Sequence, residues 1–129
     1  MELVNYSIGK KLQEKGYPHG YNRFGYRPIY SDECTIKYLW DIGAYEEDYY
    51  GENIPCPTID EVLEWLRKEK KLHIIAEISD SGWYYTIYPN IRWENGKLTS
   101  DKYIMSFKHK ESYAQAVLAG IEYALDNLI

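Results

Sequence analysis

The fold of this chain is decided by residues 72–88, which read LHIIAEISDSGWYYTIY. From Leu72 to Ile78 every even position is apolar and the odd positions are mixed, which is typical of a strand with one buried face. The next residues, 79–82, are Ser-Asp-Ser-Gly and favour a tight turn, because Asp and Ser side chains bond nearby backbone and glycine tolerates positive φ. Alternation resumes at Trp83, so the stretch predicts an antiparallel hairpin.

The second strand of this hairpin is predicted to continue through residues 83–93, and its side chains divide between two faces. One face carries Trp83, Tyr85, Ile87, Ile91 and Trp93, and the other carries Tyr84, Thr86, Tyr88, Asn90 and Arg92. Pro89 cannot donate to a strand ladder, so we expect the strand to bulge or loosen there. A turn at residues 94–97 then leads to a third predicted strand, residues 102–108, which places Tyr103, Met105 and Phe107 on the Trp83 side.

Two helices are predicted to flank the strands. The first begins at Thr58, where Thr58 and Glu61 fit a capping box, and ends near Lys71. Its apolar residues follow the spacing of one buried stripe: Ile59, Val62, Leu63 and Leu66. The last helix begins after Ser112, the best N-cap in reach. Gly120 lies within this helix at a cost of roughly 1 kcal/mol relative to alanine, which indicates a close packing contact.

These elements predict an α+β fold for residues 58–129: a three-stranded antiparallel sheet with two helices on one face, in the order α-β-β-β-α. Residues 1–57 are predicted to add a short helix and a tyrosine-rich, partly β segment. At 129 residues the chain has the length of one domain, so we expect residues 1–129 to form a single domain.

The N-terminal helix is predicted from Val4, Ile8 and Leu12, which step by four, with an end near Lys15 and a glycine cap at Gly16. The segment after it, residues 17–57, holds eight tyrosines, whose rings favour burial: Tyr17, Tyr21, Tyr26, Tyr30, Tyr38, Tyr45, Tyr49 and Tyr50. We expect ordered, irregular chain here. Its strand candidates are residues 26–30 and 35–40, and its only boundary candidate is residues 53–57.

Apolar runs, the N-terminal pattern and the cysteines bear on the cellular location of the protein and on metal binding. No apolar run approaches the roughly 20 residues of a membrane span, and the N-terminus lacks the pattern of a secretion signal, so we expect a cytoplasmic protein without a membrane partner. Cys34 and Cys56 are the only cysteines and have no metal-ligand spacing. They are read as reduced thiols, with a disulfide or a reactive role as the alternative.

The candidate interaction face lies on the sheet side away from the predicted helices. This side would carry His73, Ile75, Glu77, Tyr84, Thr86, Tyr88, Ile104 and Lys108, and its candidate contact residues are Ile75, Tyr84, Tyr88, Ile104 and Lys108. Such a face is too apolar to stay bare in water. Two interpretations are open: the tyrosine-rich N-terminal half covers it, or part of it stays open for a partner protein or a second copy of the chain.

Parts of this sequence resemble three groups of known proteins. The order helix, three antiparallel strands, helix resembles the double-stranded-RNA-binding domain, in which a lysine-rich start of the last helix grips phosphates. Here Lys108 and Lys110 precede that helix and Glu111 follows them. Residues 82–85 (GWYY) together with residues 112–116 (SYAQA) also resemble antitoxins of the HicB type.

The third resemblance covers nearly the whole chain, in four motifs that occur in order. They are LQEKGY at residues 12–17, PTIDEVLEWLR at 57–67, SGWYY at 81–85 and AGIEYAL at 119–125. They are similar to a family of small uncharacterised proteins from gut anaerobes and their phages or mobile elements. This resemblance implies an origin and carries no activity, cofactor or catalytic residue.

Catalytic and nucleic-acid-binding signatures are weak. His19, His73 and His109 are widely spread, and we see no phosphate-binding loop or nucleophile elbow, so we expect neither catalysis nor a cofactor. The acidic residues 46–48 with Glu52 could bind a cation or act as an acid/base pair, but a solvated loop is the favoured explanation. Nucleic-acid binding requires a basic face, because phosphate contacts supply much of the affinity. The chain has 15 Lys and Arg against 20 Asp and Glu, which disfavours that function.

The remaining class is a protein-interaction or regulatory module. Tyr and Trp dominate interface energetics, because their rings bring large contact area at small entropic cost. The sequence therefore favours a non-catalytic module that acts through an aromatic sheet face. Its alternative is a nucleic-acid-binding module of the double-stranded-RNA-binding layout.

Overall fold

A computed structural model of the chain describes residues 3–18, 28–30, 36–38 and 54–129. Two compact units make up the chain, Met1–Thr58 and Ile59–Ile129. Both combine helices with antiparallel strands, which confirms the predicted α+β class. The prediction that residues 1–129 form one domain stays a prediction.

The first unit contains helix α1, Tyr6–Glu14, and strands β1, Pro28–Tyr30, β2, Ile36–Tyr38, and β3, Ile54–Pro55. Asn5 caps α1, with its side-chain oxygen accepting from the Ile8 N–H at 2.9 Å. Gly16 follows at a φ of 84°, which confirms the predicted glycine end of the helix.

The strands of the first unit form an antiparallel sheet in the order β2-β1-β3. β1 and β2 lie within the two predicted strand candidates, and β3 lies within residues 53–57, which are predicted only as a boundary. The side chain of Cys56 is buried next to β3, with its sulfur 3.8 Å from the Val4 carbonyl oxygen. Cys34 and most residues of the tyrosine-rich segment lie outside the described residues.

The second unit is built on a three-stranded antiparallel sheet in the order β4-β5-β8. These strands are β4, His73–Ser79, β5, Gly82–Tyr88, and β8, Ile104–Met105. A separate hairpin joins β6, Arg92–Glu94, to β7, Lys97–Thr99. Its loop, Asn95 and Gly96, has φ angles of 52° and 77°, as a two-residue type I′ turn requires.

Helices α2, Ile59–Glu69, and α3, Tyr113–Asn127, cover one face of this sheet, and we call it the inner face. α3 packs on β5 and β4, and α2 packs on β4 and α3. Ser112 caps α3, with its hydroxyl oxygen accepting from the Gln115 N–H at 3.2 Å. Gly120 is the close contact expected of it, since a Cβ there would lie 2.9 Å from Cγ2 of Ile74. The predicted arrangement of two helices on one sheet face is therefore confirmed.

The third strand differs from its prediction. Ile104 pairs with Ile87, which lies on the inner face, and Met105 pairs with Thr86 on the opposite face. Directly paired residues share a face, so the predicted alternation of residues 102–108 is wrong by one residue. Phe107 lies beyond β8 and is 92% exposed, so it is not a core residue either.

The second strand is also shorter than predicted. β5 ends at Tyr88, just before Pro89, and Asn90 takes a φ of 52° that no strand accommodates. Residues 92–94 then begin the separate hairpin. Pro89 therefore ends the strand, where the sequence predicts only a bulge or a loosening.

Candidate functional site

The candidate site is the sheet face opposite the two helices, which we call the outer face. β4 and β5 place alternate side chains on it through the register that pairs His73 with Tyr88, Ile75 with Thr86 and Glu77 with Tyr84. β8 adds Met105, paired with Thr86. The outer face thus consists of three strands whose contributed side chains are mainly aromatic or apolar.

Three rings on the outer face form a row. The centroids of the His73 and Tyr88 rings are 6.2 Å apart, and those of the Tyr88 and Tyr103 rings are 6.0 Å apart. Both distances are within the range of favourable ring pairs. We call His73, Tyr88 and Tyr103 the ring row. It crosses the sheet from β4 over β5 to the chain before β8.

Tyr84 forms a second cluster on the same face. Its ring meets the His109 ring edge-on at 5.6 Å, and its hydroxyl donates to Oε2 of Glu77 at 3.3 Å. Burial, together with the Glu77 carboxylate, raises the pKa of the Tyr84 hydroxyl, so it stays a protonated donor at neutral pH. Tyr84 is therefore held in place from two sides.

Exposure of the outer face is graded across the sheet. Ile75, Tyr84 and Tyr88 are half-buried, whereas Tyr103 is 52% exposed and Met105 is 40% exposed. Thr86 is buried between its cross-strand neighbours. The β8 side of the face therefore offers the most accessible apolar surface.

The structure places the predicted contact residues unequally. Ile75, Tyr84 and Tyr88 lie on the outer face, as predicted, and Ile104 lies on the inner face opposite Ile87, so its assignment is wrong. Lys108 is exposed in the chain after β8. The proposed cover of this face by residues 17–57 concerns a segment that lies mostly outside the described residues.

Tyr103 and Met105 are the outer-face residues that the sequence reasoning missed. Both alternate correctly as a strand, but their apolar character assigned them to the core. Ile104 between them is apolar as well, so the local pattern is compatible with either phase.

A cleft adjoins one end of the ring row and has a volume of about 490 Å³. Its lining comes from the last turn of α2, the start of β4, the end of β5 and the residues of and around the hairpin β6–β7: Arg67, His73, Tyr88, Ile91, Leu98, Thr99 and Ser100. His73 and Tyr88 belong to both the cleft and the ring row. The cleft and the outer face therefore form a continuous surface within the second unit.

Backbone hydrogen bonds hold the walls of this cleft. The Ile91 N–H donates to the carbonyl oxygen of Lys71 at 3.0 Å, and the Asp101 N–H donates to the carbonyl oxygen of Pro89 at 2.9 Å. Lys71 has a φ of 58°, the left-handed conformation that turns the chain from α2 into β4. Arg92 adds a hydrogen bond from Nη1 to Oδ1 of Asp101 at 3.0 Å.

Arg67 places a positive charge in the surroundings of His73. Burial is the larger cause that lowers the pKa of His73, and the charge of Arg67 lowers it further. The imidazole is therefore neutral at neutral pH, and Arg67 supplies the positive charge at the rim.

Folding stability is expected to depend on His73 below pH 6.5, the ordinary pKa of this group. Because the folded pKa is lower than the unfolded one, the unfolded chain binds the proton first, and stability falls as the pH drops from 6.5 toward the folded value. Urea midpoints at pH 7.5 and pH 5.5 measure this loss. The variant His73→Gln is expected to lose less stability over the same interval, and an equal loss in both proteins would contradict the assignment.

The two histidines among the described residues do not come together. His73 and His109 lie next to different tyrosines of the outer face, and His19 and the acidic residues 46–48 and 52 lie outside the described residues. Among residues 3–18 and 54–129, no three side chains of the metal-binding types cluster closely enough to hold an ion. In the same ranges no helix has both the length and the apolar character needed to cross a membrane.

What the outer face and the cleft can bind follows from the chemistry of their own residues. Comparison of the chain with protein-family models, with curated proteins and with solved structures finds no match.

Proposed function

We propose that this chain is a small non-catalytic protein-interaction module of the cytoplasm that binds a partner protein through its outer face. The observation that carries the proposal is the ring row with Met105 beside it. Its three rings run across a sheet face that α2 and α3 leave uncovered, with 6.2 and 6.0 Å between the centroids of neighbouring rings.

The chemistry of this face fits a protein partner. Tyrosine and methionine are enriched in the cores of protein interfaces, where a ring or a thioether gives up water and meets apolar groups. The rings of Tyr84 and Tyr88 already contact His109 and His73, so they lose little conformational freedom when a partner arrives. Such pre-ordered rings are typical of residues that dominate binding energy.

Nucleic-acid binding, the alternative, has less support. Its best local cations are at the end of α2, where the Lys68 ammonium pairs with the Glu64 carboxylate at 2.8 Å and the Lys70 ammonium lies 5.3 Å from the centre of the Trp65 ring. Arg92 pairs with Asp101 and Glu94. The net charge of −5 also disfavours the approach of a phosphate backbone.

The resemblance to small proteins of gut anaerobes and their phages or mobile elements adds a proposed origin. A module of this size without catalytic machinery would act there by occupying a surface of another protein. Its regulatory effect would follow from that occupancy.

Replacing Tyr103 and Met105 together by serine is expected to weaken partner binding at least tenfold. Both side chains are about half exposed and Tyr103 loses its ring contact with Tyr88, so the free energy of unfolding should fall by only about 1 kcal/mol and the chain should stay folded. Quantitative affinity capture from cells that produce the chain, with the wild type and the variant compared side by side, measures the loss. Sedimentation velocity at several concentrations detects the case in which the partner is a second copy.

The control removes equal apolar surface elsewhere. Ile78→Ser with Tyr113→Ser exchanges two exposed apolar residues off the outer face, since Ile78 pairs with Trp83 on the inner face and Tyr113 belongs to α3, which covers that face. The control is expected to retain the captured proteins. The proposal fails if no captured protein and no self-association depends on Tyr103 and Met105, or if retention depends on nucleic acid that nuclease removes.

A further inference from the structure

We propose that the cleft beside the ring row anchors the partner by taking up one apolar side chain whose neighbouring residue carries a carboxylate. This inference rests on the proposed function and names the chemistry of the partner segment. The lining of the cleft has an apolar wall and a cationic rim. A ligand that contacts both carries an apolar side chain next to a carboxylate.

The apolar wall is formed by Tyr88, Ile91 and Leu98. Leu98 is 62% exposed even though it lines the cleft, so its side chain has apolar surface left to bury. A volume of about 490 Å³ is within the size range of small-ligand sites, and it is ample for one large side chain. A branched or aromatic side chain would thus gain contact on several sides.

The cationic rim is formed by Arg67, whose charge already acts on His73. Arginine binds a carboxylate through two parallel N–H groups, which fixes the orientation of the bound group. Thr99 lies in the same lining, and its hydroxyl can donate to the second side of that carboxylate, whereas the Ser100 hydroxyl already donates to the Asp101 carbonyl oxygen at 2.9 Å. An acidic residue next to the anchoring side chain therefore fits the rim better than a neutral one.

The continuity of the cleft with the outer face favours a peptide segment over a free small molecule. His73 and Tyr88 belong to both surfaces, so a chain that lies along the ring row passes the mouth of the cleft. A partner segment on the outer face can then insert one side chain without leaving the sheet. This geometry commits the proposal to a protein partner.

The test uses the full chain and blocked pentapeptides observed by two-dimensional NMR. The sequence Gly-Glu-Phe-Glu-Gly carries both required groups, Gly-Gln-Phe-Gln-Gly lacks the charge, and Gly-Glu-Ala-Glu-Gly lacks the anchor. We expect the first peptide to shift the amide signals of Ile91, Leu98 and Ser100 and to bind at least tenfold more tightly than the other two.

Variants with a matched control separate the two features. Arg67→Gln should weaken the acidic peptide tenfold and make it equal to the glutamine peptide, and Leu98→Asn should weaken both phenylalanine peptides. Lys68→Gln, one residue along the same helix and outside the cleft lining, should change binding less than twofold. Amide spectra of the free variants that match the wild type show that the fold is intact.

The inference is overturned if the acidic peptide does not bind, if the shifted signals lie away from the cleft, or if Arg67→Gln binds that peptide as tightly as the wild type. Tighter binding of 3-phenylpropanoate than of the peptide would also overturn it, because it would identify a small-molecule site. Capture that depends on Tyr103 and Met105 but not on Arg67 or Leu98 overturns the cleft and keeps the proposed function. Capture that depends only on Arg67 and Leu98 overturns binding through the ring row and keeps the cleft as the site of contact.

Discussion

Gly120→Val is expected to lower the free energy of unfolding by about 3 kcal/mol, at the upper end of the usual cost of overpacking a core. A Cβ at this position would lie 2.9 Å from Cγ2 of Ile74 and 3.1 Å from Cγ of Tyr85. Both atoms are close to their own backbones, so neither can swing away as the end of a flexible side chain would. Valine adds two methyl groups to that collision, and α3 has to move off the sheet.

The series Gly120→Ala, Gly120→Ser and Gly120→Val provides its own control. Helix propensity alone predicts that alanine stabilises the chain by about 1 kcal/mol, because glycine is the poorer helix former. The packing argument predicts a loss that grows with side-chain volume. Urea unfolding of the three variants measures the sign, and a more stable alanine variant would show that α3 has room to spare.

Gly82→Ala is expected to cost about 3 kcal/mol, because the substitution adds backbone strain and a steric clash at one position. Gly82 has a φ of 121°, and a Cβ there would lie 2.7 Å from the backbone oxygen of Lys110. That oxygen accepts a hydrogen bond from the Trp83 N–H at 2.8 Å, and the Lys110 N–H donates back to the Trp83 oxygen. Alanine would therefore separate the start of β5 from residue 110.

Gly96→Asn is the matched control for the turn effect. Gly96 also has a positive φ, at 77°, but a Cβ there meets nothing within 4 Å, and asparagine tolerates the left-handed region. Its cost should stay below about 1 kcal/mol. Hydrogen exchange at the Trp83 and Lys110 amides should accelerate in Gly82→Ala and stay unchanged in the control. Unchanged protection in both variants would contradict the explanation.

Much of the second unit follows from local patterns in the sequence. β4 alternates cleanly, Ser112 is a strong cap and Gly82 meets a turn that needs positive φ, so these positions each have one low-energy solution. The phases of β4 and β5 were predictable because Ile74, Ala76 and Ile78 are all apolar, and a slip by one residue would bury His73 and Glu77 instead.

The third strand was not predictable in the same way. β8 has only two residues, and its position depends on long-range bonds: the Ser106 N–H donates to the Tyr85 oxygen, and the Tyr85 N–H donates to the Ser106 hydroxyl. Apolar side chains on both faces of residues 103–105 gave the local pattern no preference that could override those bonds. The main error in the candidate site, Ile104 in place of Tyr103 and Met105, has this origin.

The cleft was beyond sequence reasoning for a related reason. It joins residues from the end of α2, the start of β4 and the hairpin β6–β7, and no periodicity reports on their proximity. The hairpin itself carried a recognisable Asn-Gly signal, which predicts its turn, but the signal does not say that residues on either side pair with one another rather than with β5.

The bond from the Ile91 N–H to the Lys71 oxygen also bears on how quickly a ligand is captured. It ties Ile91 of the cleft wall to the chain that follows α2, so this wall is already formed when the proposed partner segment arrives. Association should then show a single concentration-linear phase, with its rate set by diffusion and orientation. Differences in affinity among partner segments should accordingly lie in their dissociation rates.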